Sequence, residues 1–328
     1  MDDLQSRYIR ETGQHTDMEP LSLTPKYGCQ PVKFATLDIG SNAVRLFIAH
    51  VYETGDWNPI VRKDDLYRVP LRLGADAFVK GEISPKTADQ FLNVMHAFSR
   101  LLEFFQPHAV MACATSALRT ASNGQALVER VKKETGIDIE IIHGEREAEL
   151  IAFNRVDGRF DKGNFFFIDV GGGSTELSLL SNGQLEASQS FPIGTVRLKE
   201  GLVEPETWDE MKAWTKQQTK GYKKLIGIGS GGNINKIFRL SRHKQDKNLP
   251  YDELRSIHKM LKDLTYEERL RQLGMRPDRA DVIVPAGEIF IKTMKWAKTD
   301  RIQVPQFGLS DGMVHWLYRK HRKRFAET

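Results

Sequence analysis

The chain has 328 residues, of which 40% are apolar and 28% charged. This excludes a disordered chain, and the absence of any long apolar run argues against a membrane span. With 48 Lys and Arg against 43 Asp and Glu, the net charge of +5 excludes a protein that coats nucleic acid but allows an anionic substrate if the charge is focused locally.

Residues 1–30 are polar, carry Asp2 and Asp3, and have no apolar core of a signal peptide. They are expected to form a loosely ordered arm. Cys29 and Cys113 are the only cysteines, too few for a disulfide framework or a zinc knuckle, so a cytoplasmic protein is expected. Residues 34–51 read as a strand, a break at Asp38-Ile39-Gly40-Ser41-Asn42, and a second strand. Residues 64–81 read as strand or loop punctuated by glycine. Ser84 as N-cap and Pro85 at the first helical position open a helix with apolar residues at Ala88, Phe91, Leu92, Met95, Phe98, Leu101 and Leu102. A short strand at 109–114 ends at Thr115-Ser116-Ala117-Leu118-Arg119, near the start of a helix running through Val131. A strand at 137–142 is followed by Gly144 and a helix carrying Glu145 to Ile151.

The pattern then restarts. Residues 164–180 are again strand, Asp-containing glycine turn, strand, and the alternation places Glu176 and Ser178 outward, Leu177 and Leu179 inward. Asp38-Ile39-Gly40-Ser41 aligns with Asp169-Val170-Gly171-Gly172, 131 positions later. One long-period repeat of this kind points to two related α/β halves rather than a solenoid. The expected organisation is a domain over 31–150, a second over 151–305, and a C-terminal helix over 306–328 that packs back on the first. A helix at 206–221, a strand at 224–229, a glycine turn and a helix at 233–242 continue the second half.

The two hairpin turns carry the chemistry. Small residues in a tight turn aim several backbone N–H groups one way, a nest for anionic oxygens. An Asp just before each turn adds a hard oxygen ligand suited to Mg²⁺ bridging phosphates. The alternative is an ordinary glycine hairpin, but a pair with Asp placed identically is less easily dismissed. Gly227, Gly229 and Gly232 satisfy G-x-G-x-x-G, which leaves a dinucleotide reading open on a weak motif. No Walker A motif, H-E-x-x-H or G-x-S-x-G occurs. Glu145 to Glu149 reads either as a solvated charge run or, at Glu147 beside Leu150 and Ile151, as a carboxylate with raised pKa that acts as a base toward water.

ATLDIGSNAVRL, ATSALRTASN, IIHGEREAELI, FIDVGGGSTELSL, FPIGTVRL, GIGSGGNI and RADVIVPAGEI occur in this order. Together they resemble the Ppx/GppA family of exopolyphosphatases and guanosine pentaphosphate phosphohydrolases, over about residues 33–318. The resemblance implies an α/β fold with two ribonuclease-H-like domains of the actin/Hsp70/sugar-kinase superfamily flanking a cleft. It implies that Gly40, Ser41, Asn42, Gly171, Gly172, Gly173, Ser174 and Thr175 hold terminal phosphates, with Arg119 contacting phosphate and the Gly229, Ser230, Gly231 turn lining the cleft. It implies that Asp38, Asp169 and Glu176 organise Mg²⁺, and that Glu147 activates the attacking water. The implied substrates are inorganic polyphosphate or guanosine pentaphosphate, with no membrane or specific nucleic-acid partner, and the implied assembly is a homodimer.

Three places depart from the family pattern. Arg146 interrupts an acidic run, Glu149 stands where Arg is usual, and Ser310-Asp311-Gly312 replaces Arg-Glu-Gly. The chain has no His-Asp dipeptide, so it resembles the short, two-domain form. A non-hydrolysing nucleotide or alarmone sensor and a sugar-kinase-like transferase remain open as other uses of the fold. The excess charge falls in two clusters: Lys236, Arg239, Arg242, Lys244 and Lys247 against Asp246, and Arg319, Lys320, Arg322, Lys323 and Arg324. Each reads as a solvated helix end or as a track for the distal part of a polyanion.

Overall fold

The computed structural model describes residues 31–53, 59–155, 160–242 and 247–325. The 1–30 arm, Lys244, Asp246 and the side chains of Lys323 and Arg324 lie outside the described residues. Two mixed sheets organise the rest. The first has the order β3-β2-β1-β4-β5, built from β1 (Val32–Ile39), β2 (Val44–Tyr52), β3 (Ile60–Val69), β4 (Ala109–Ala114) and β5 (Ile139–Ile141). The second has the order β10-β11-β9-β6-β7-β8, built from β6 (Asn164–Val170), β7 (Thr175–Ser181), β8 (Gln184–Phe191), β9 (Leu225–Ser230), β10 (Asn248–Pro250) and β11 (Arg301–Gln303). In each, an antiparallel meander (β1–β2–β3, β6–β7–β8) is extended by parallel pairing on the other side of its first strand. The repeat seen in sequence is therefore a repeat of topology.

Period-2 alternation sets what each face meets. Ala35, Leu37 and Ile39 of β1 pack into a cluster with the helices Leu73–Lys80, Pro85–Phe105 and Gly124–Thr135. Phe34 of the same strand faces the opposite way, into a cluster with Leu150, Ile151, Met313, Val314 and Leu317. The helices Gly144–Ala152 and Leu309–Phe325 therefore cover the second face of the first sheet. In the second sheet, Phe166, Ile168, Leu177 and Leu179 bury against Met211, Ile234, Ile237, Phe290 and Met294 of the following helices. Each fully buried large apolar side chain stabilises by about 1.5–3 kcal/mol.

Ser84 accepts from the Thr87 amide, and the helix Pro85–Phe105 follows as the cap predicts. Residues 64–81 differ from expectation: β3 ends at Val69 and Leu73–Lys80 is a helix with Leu73, Ala77 and Phe78 buried. Gly74, which looked like punctuation, is a packing position, since an added Cβ would lie 2.7 Å from the Phe78 ring and 2.9 Å from Ser41 Cβ. The helix expected through Val131 is two, Ser116–Thr120 and Gly124–Thr135. Glu176, placed outward by alternation, is buried, because the helix Gly144–Ala152 covers that side of β7. Among the described residues no helix is long and apolar enough to cross a membrane.

Candidate active site

The two hairpin turns close identically. Gly40 N–H donates to Ala43 O at 3.1 Å, and Gly171 N–H donates to Ser174 O at 2.9 Å. Each turn then gives carbonyls to the start of a helix. Gly74 N–H donates to Ser41 O at 2.8 Å, and Val196 N–H donates to Gly172 O at 2.8 Å. The turns meet each other: a Cβ on Gly172 would lie 2.8 Å from Ser41 Cβ, and one on Gly173 would lie 2.5 Å from Ser116 Oγ. Only glycine permits that approach.

Above this contact opens a cleft of about 570 Å³. Of the residues proposed from sequence, Asp38, Gly40, Ser41, Asn42, Glu147, Asp169, Gly171, Gly172, Ser174 and Gly231 line it. Gly173, Thr175, Gly229 and Ser230 support it from behind. Thr175 Oγ1 donates to Ile193 O at 2.5 Å, Gly229 packs on Ile302, and the Ser230 hydroxyl bonds Asp169. Arg119 does not line the cleft; its guanidinium donates to the Ile142 carbonyl just before the Glu147 helix, and its charge acts on Glu147 and Glu176.

Glu147, Asp169 and Glu176 converge, with one oxygen from each lying within 4.8 Å of the others. Helix Gly144–Ala152 makes this possible by lying between the sheets, Leu150 and Ile151 toward the first and Glu147 toward β6 and β7 of the second. Burial first, then the charges of Glu176, Asp169 and Asp38, hold the Glu147 carboxyl well above the usual range, with Arg119 acting against them. Burial and Asp169 push Glu176 up to about 7, opposed by bonds from Ser174 and Ser190. Burial also raises Asp169, against the Ser230 bond. Glu147 Oε2 is buried without a hydrogen-bond partner. Three crowded carboxylates, one with an orphaned oxygen, are hard donors that suit a divalent cation such as Mg²⁺.

Asp38 stands apart from that group. Arg45 lies opposite it across β1 and β2 and donates to Asp38 Oδ2 at 2.5 Å. Asp38 lines the cleft with its charge met by that guanidinium, while the three carboxylates that gather are Glu147, Asp169 and Glu176.

Sequence reading missed most of the cations that line the cleft. Arg45, Lys63, Arg68, Arg276 and Arg279 join Lys236 and Arg239 of the first basic cluster. Burial, then Arg68 and Arg45, lower Arg279 to about 10, and burial with Arg239 and Arg279 lowers Lys236. Cations held close enough to depress one another mark a site for anionic charge. Gly232 makes room for one of them, since a Cβ there would lie 2.6 Å from the Arg279 guanidinium. That contact gives the G-x-G-x-x-G glycines a packing role. Across the cleft, Arg68 pairs with Asp278, Arg72 pairs with Asp281, and Asn42 Nδ2 donates to Asp278 O at 2.7 Å. The departures from the family pattern also find partners. Arg146 pairs with Glu149 at 2.7 Å and lies over the Trp316 ring, and Asp311 pairs with Lys63 at 2.8 Å.

The sequence profile of the Ppx/GppA phosphatase family matches residues 61–321. Exopolyphosphatase 1 of Mycobacterium tuberculosis is 24% identical over 305 residues, covering 86% of this chain and 87% of that protein. An exopolyphosphatase structure from Cytophaga hutchinsonii has a TM-score of 0.74 at 26% identity, over 88% of this chain and 98% of that one. The Ppx/GppA structure from Aquifex aeolicus has a TM-score of 0.70 at 25% identity, over 89% and 99%. The fold is the expected one, two ribonuclease-H-like α/β halves of the actin/Hsp70/sugar-kinase type beside a cleft. By profile and by fold, the chain belongs to the Ppx/GppA phosphatase family.

Proposed function

We propose that the protein is an exopolyphosphatase that releases terminal orthophosphate from inorganic polyphosphate, the 5′-γ-phosphate of guanosine pentaphosphate, or both. The observation that carries this reading is the pairing of a cation-lined cleft with a buried carboxylate at its wall, Glu147, whose Oε2 has no hydrogen-bond partner. The names of relatives such as the mycobacterial exopolyphosphatase support the substrate class.

The turns at Gly40–Asn42 and Gly171–Ser174 receive the terminal phosphate, and Arg279, Lys236 and Arg239 spread the charge of the units behind it. Asp169 and Glu176, with the Glu147 carboxylate completing the cluster, would hold Mg²⁺, which would neutralise charge on the transferring phosphoryl group. Glu147, kept basic by its surroundings, orients a water and accepts its proton as the phosphoanhydride opens. Arg119 fixes the chain entering the Glu147 helix and tempers the acid cluster. In this reading the enzyme works in the cytoplasm as a homodimer, and residues 31–150 and 151–305 form its two domains.

The test is free phosphate released by the purified protein, with Mg²⁺, from long-chain polyphosphate and from guanosine pentaphosphate. Release from either substrate supports the hydrolase. Binding of either without release would leave a sensor built on the same fold.

A further inference from the structure

The helix that carries Glu147 is held from behind by the C-terminal helix Leu309–Phe325, and the contact is unusually close. A Cβ added to Gly312 would lie 1.9 Å from the Leu150 carbonyl oxygen. Any side chain there must push the two helices apart. Just past the Glu147 helix, buried Asn154 uses its Nδ2 twice, donating to Ile151 O at 2.9 Å and to Gly308 O at 3.0 Å. One amide thus ties the last turn of that helix to the segment leading into the C-terminal helix. Leu150 and Ile151 share an apolar cluster with Met313, Val314 and Leu317, and the Arg146 guanidinium lies 5.3 Å from the Trp316 ring centroid.

The C-terminal helix is itself anchored to the first sheet. Thr36 Oγ1 donates to Ser310 O at 3.3 Å. Leu309, Ser310 and Asp311 also line the cleft into which Glu147 points. The carboxylate at the end of this chain of contacts has an oxygen, Oε2, that no hydrogen bond restrains. Its place relative to Asp169 and Glu176 therefore follows from where the helix backbone is seated.

We propose that Gly312 and Asn154 are positioning residues, which seat the Glu147 helix against the C-terminal helix and so set where the Glu147 carboxylate stands. The proposal rests on the reading of Glu147 as the group that activates water. An error of about 1 Å in such a group costs on the order of 10²-fold in rate.

Gly312→Ala and Asn154→Ala are compared with the wild type. Gly287→Ala serves as a steric control remote from this contact, since its Cβ would lie 2.6 Å from the His258 ring. Two quantities are read: orthophosphate release from polyphosphate, and the rise in melting temperature on adding Mg²⁺. Both test variants are expected to lose about 10- to 100-fold in kcat with KM within about 2-fold. Their Mg²⁺-induced rise in Tm shrinks to roughly half or less. The control keeps both quantities. Folded test variants with wild-type kcat and Mg²⁺ response overturn the proposal, and so does an equal loss in the control. If Gly312→Ala does not fold, Asn154→Ala decides. If the wild type responds to Mg²⁺ but releases no phosphate, the hydrolase reading falls, and the Mg²⁺ response alone decides whether these residues place Glu147.

Discussion

Asp38 and Asp169 occupy the same place in two hairpins that close with the same hydrogen bond, 131 positions apart. They differ in what stands opposite on the returning strand. Asp38 faces Arg45, and Asp169 faces Glu176. One hairpin neutralises its acid; the other sets a second acid beside it, and the helix Gly144–Ala152 adds a third. The same backbone therefore carries a neutralised acid on one side and, on the other, an acid cluster of the kind that suits a divalent cation. The difference lies in a single position, seven residues after the Asp.

The largest effect should come from the third acid. Glu147→Gln is expected to lower kcat by about 10²–10⁴-fold while substrate binding persists, as removal of a general base does. Near wild-type turnover would show that the cluster does not activate water.

The asymmetry itself is tested next. Glu176→Gln should raise the Mg²⁺ concentration for half-maximal activity by about 10-fold or more, whereas Asp38→Asn moves it by less than about 3-fold. Equal effects from the two would break the contrast between the hairpins.

On the cationic side, Arg279→Ala should raise KM for polyphosphate about 10-fold and flatten its salt dependence, with a smaller change in kcat. An unchanged KM would remove Arg279 from the anion path. Neutralising Lys236 and Arg239 together should weaken long chains more than short ones, and equal losses would argue against an extended track.

The smallest effect is on stability. Glu176 is pushed up to about 7 in the fold, from an ordinary value of 4.5. Between these pH values the unfolded chain has released this proton and the folded chain still holds it. The contribution of Glu176 to the stability of the metal-free protein thus falls as pH rises through that window. Melting temperatures across pH 4.5–8 in chelator should show this fall, and Glu176→Gln should flatten it. A wild-type curve that rises relative to the variant across the window would reverse the sign.

Sequence periodicity carried much of this, and its failures are local. Both hairpins, the capped helix at Ser84 and the Glu147 helix are legible, because alternation, caps and turn residues act over a few positions. Gly74 misled because a glycine needed for close packing looks like a glycine that breaks a helix. Glu176 misled because alternation gives the face of a strand but not what covers it. The cleft cations were invisible as a group: Arg45 and Arg68 come from neighbouring strands, Lys236 and Arg239 from a helix, and Arg279 from a short helix far along the chain. Only the fold assembles them.

The contact between the two turns has one more consequence. With Gly172 against Ser41 and Gly173 against Phe78 and Ser116, the two turns leave no room for a side chain between them. A side chain at Gly172 or Gly173 should therefore separate the two turns, and stability and cleft geometry would be lost together.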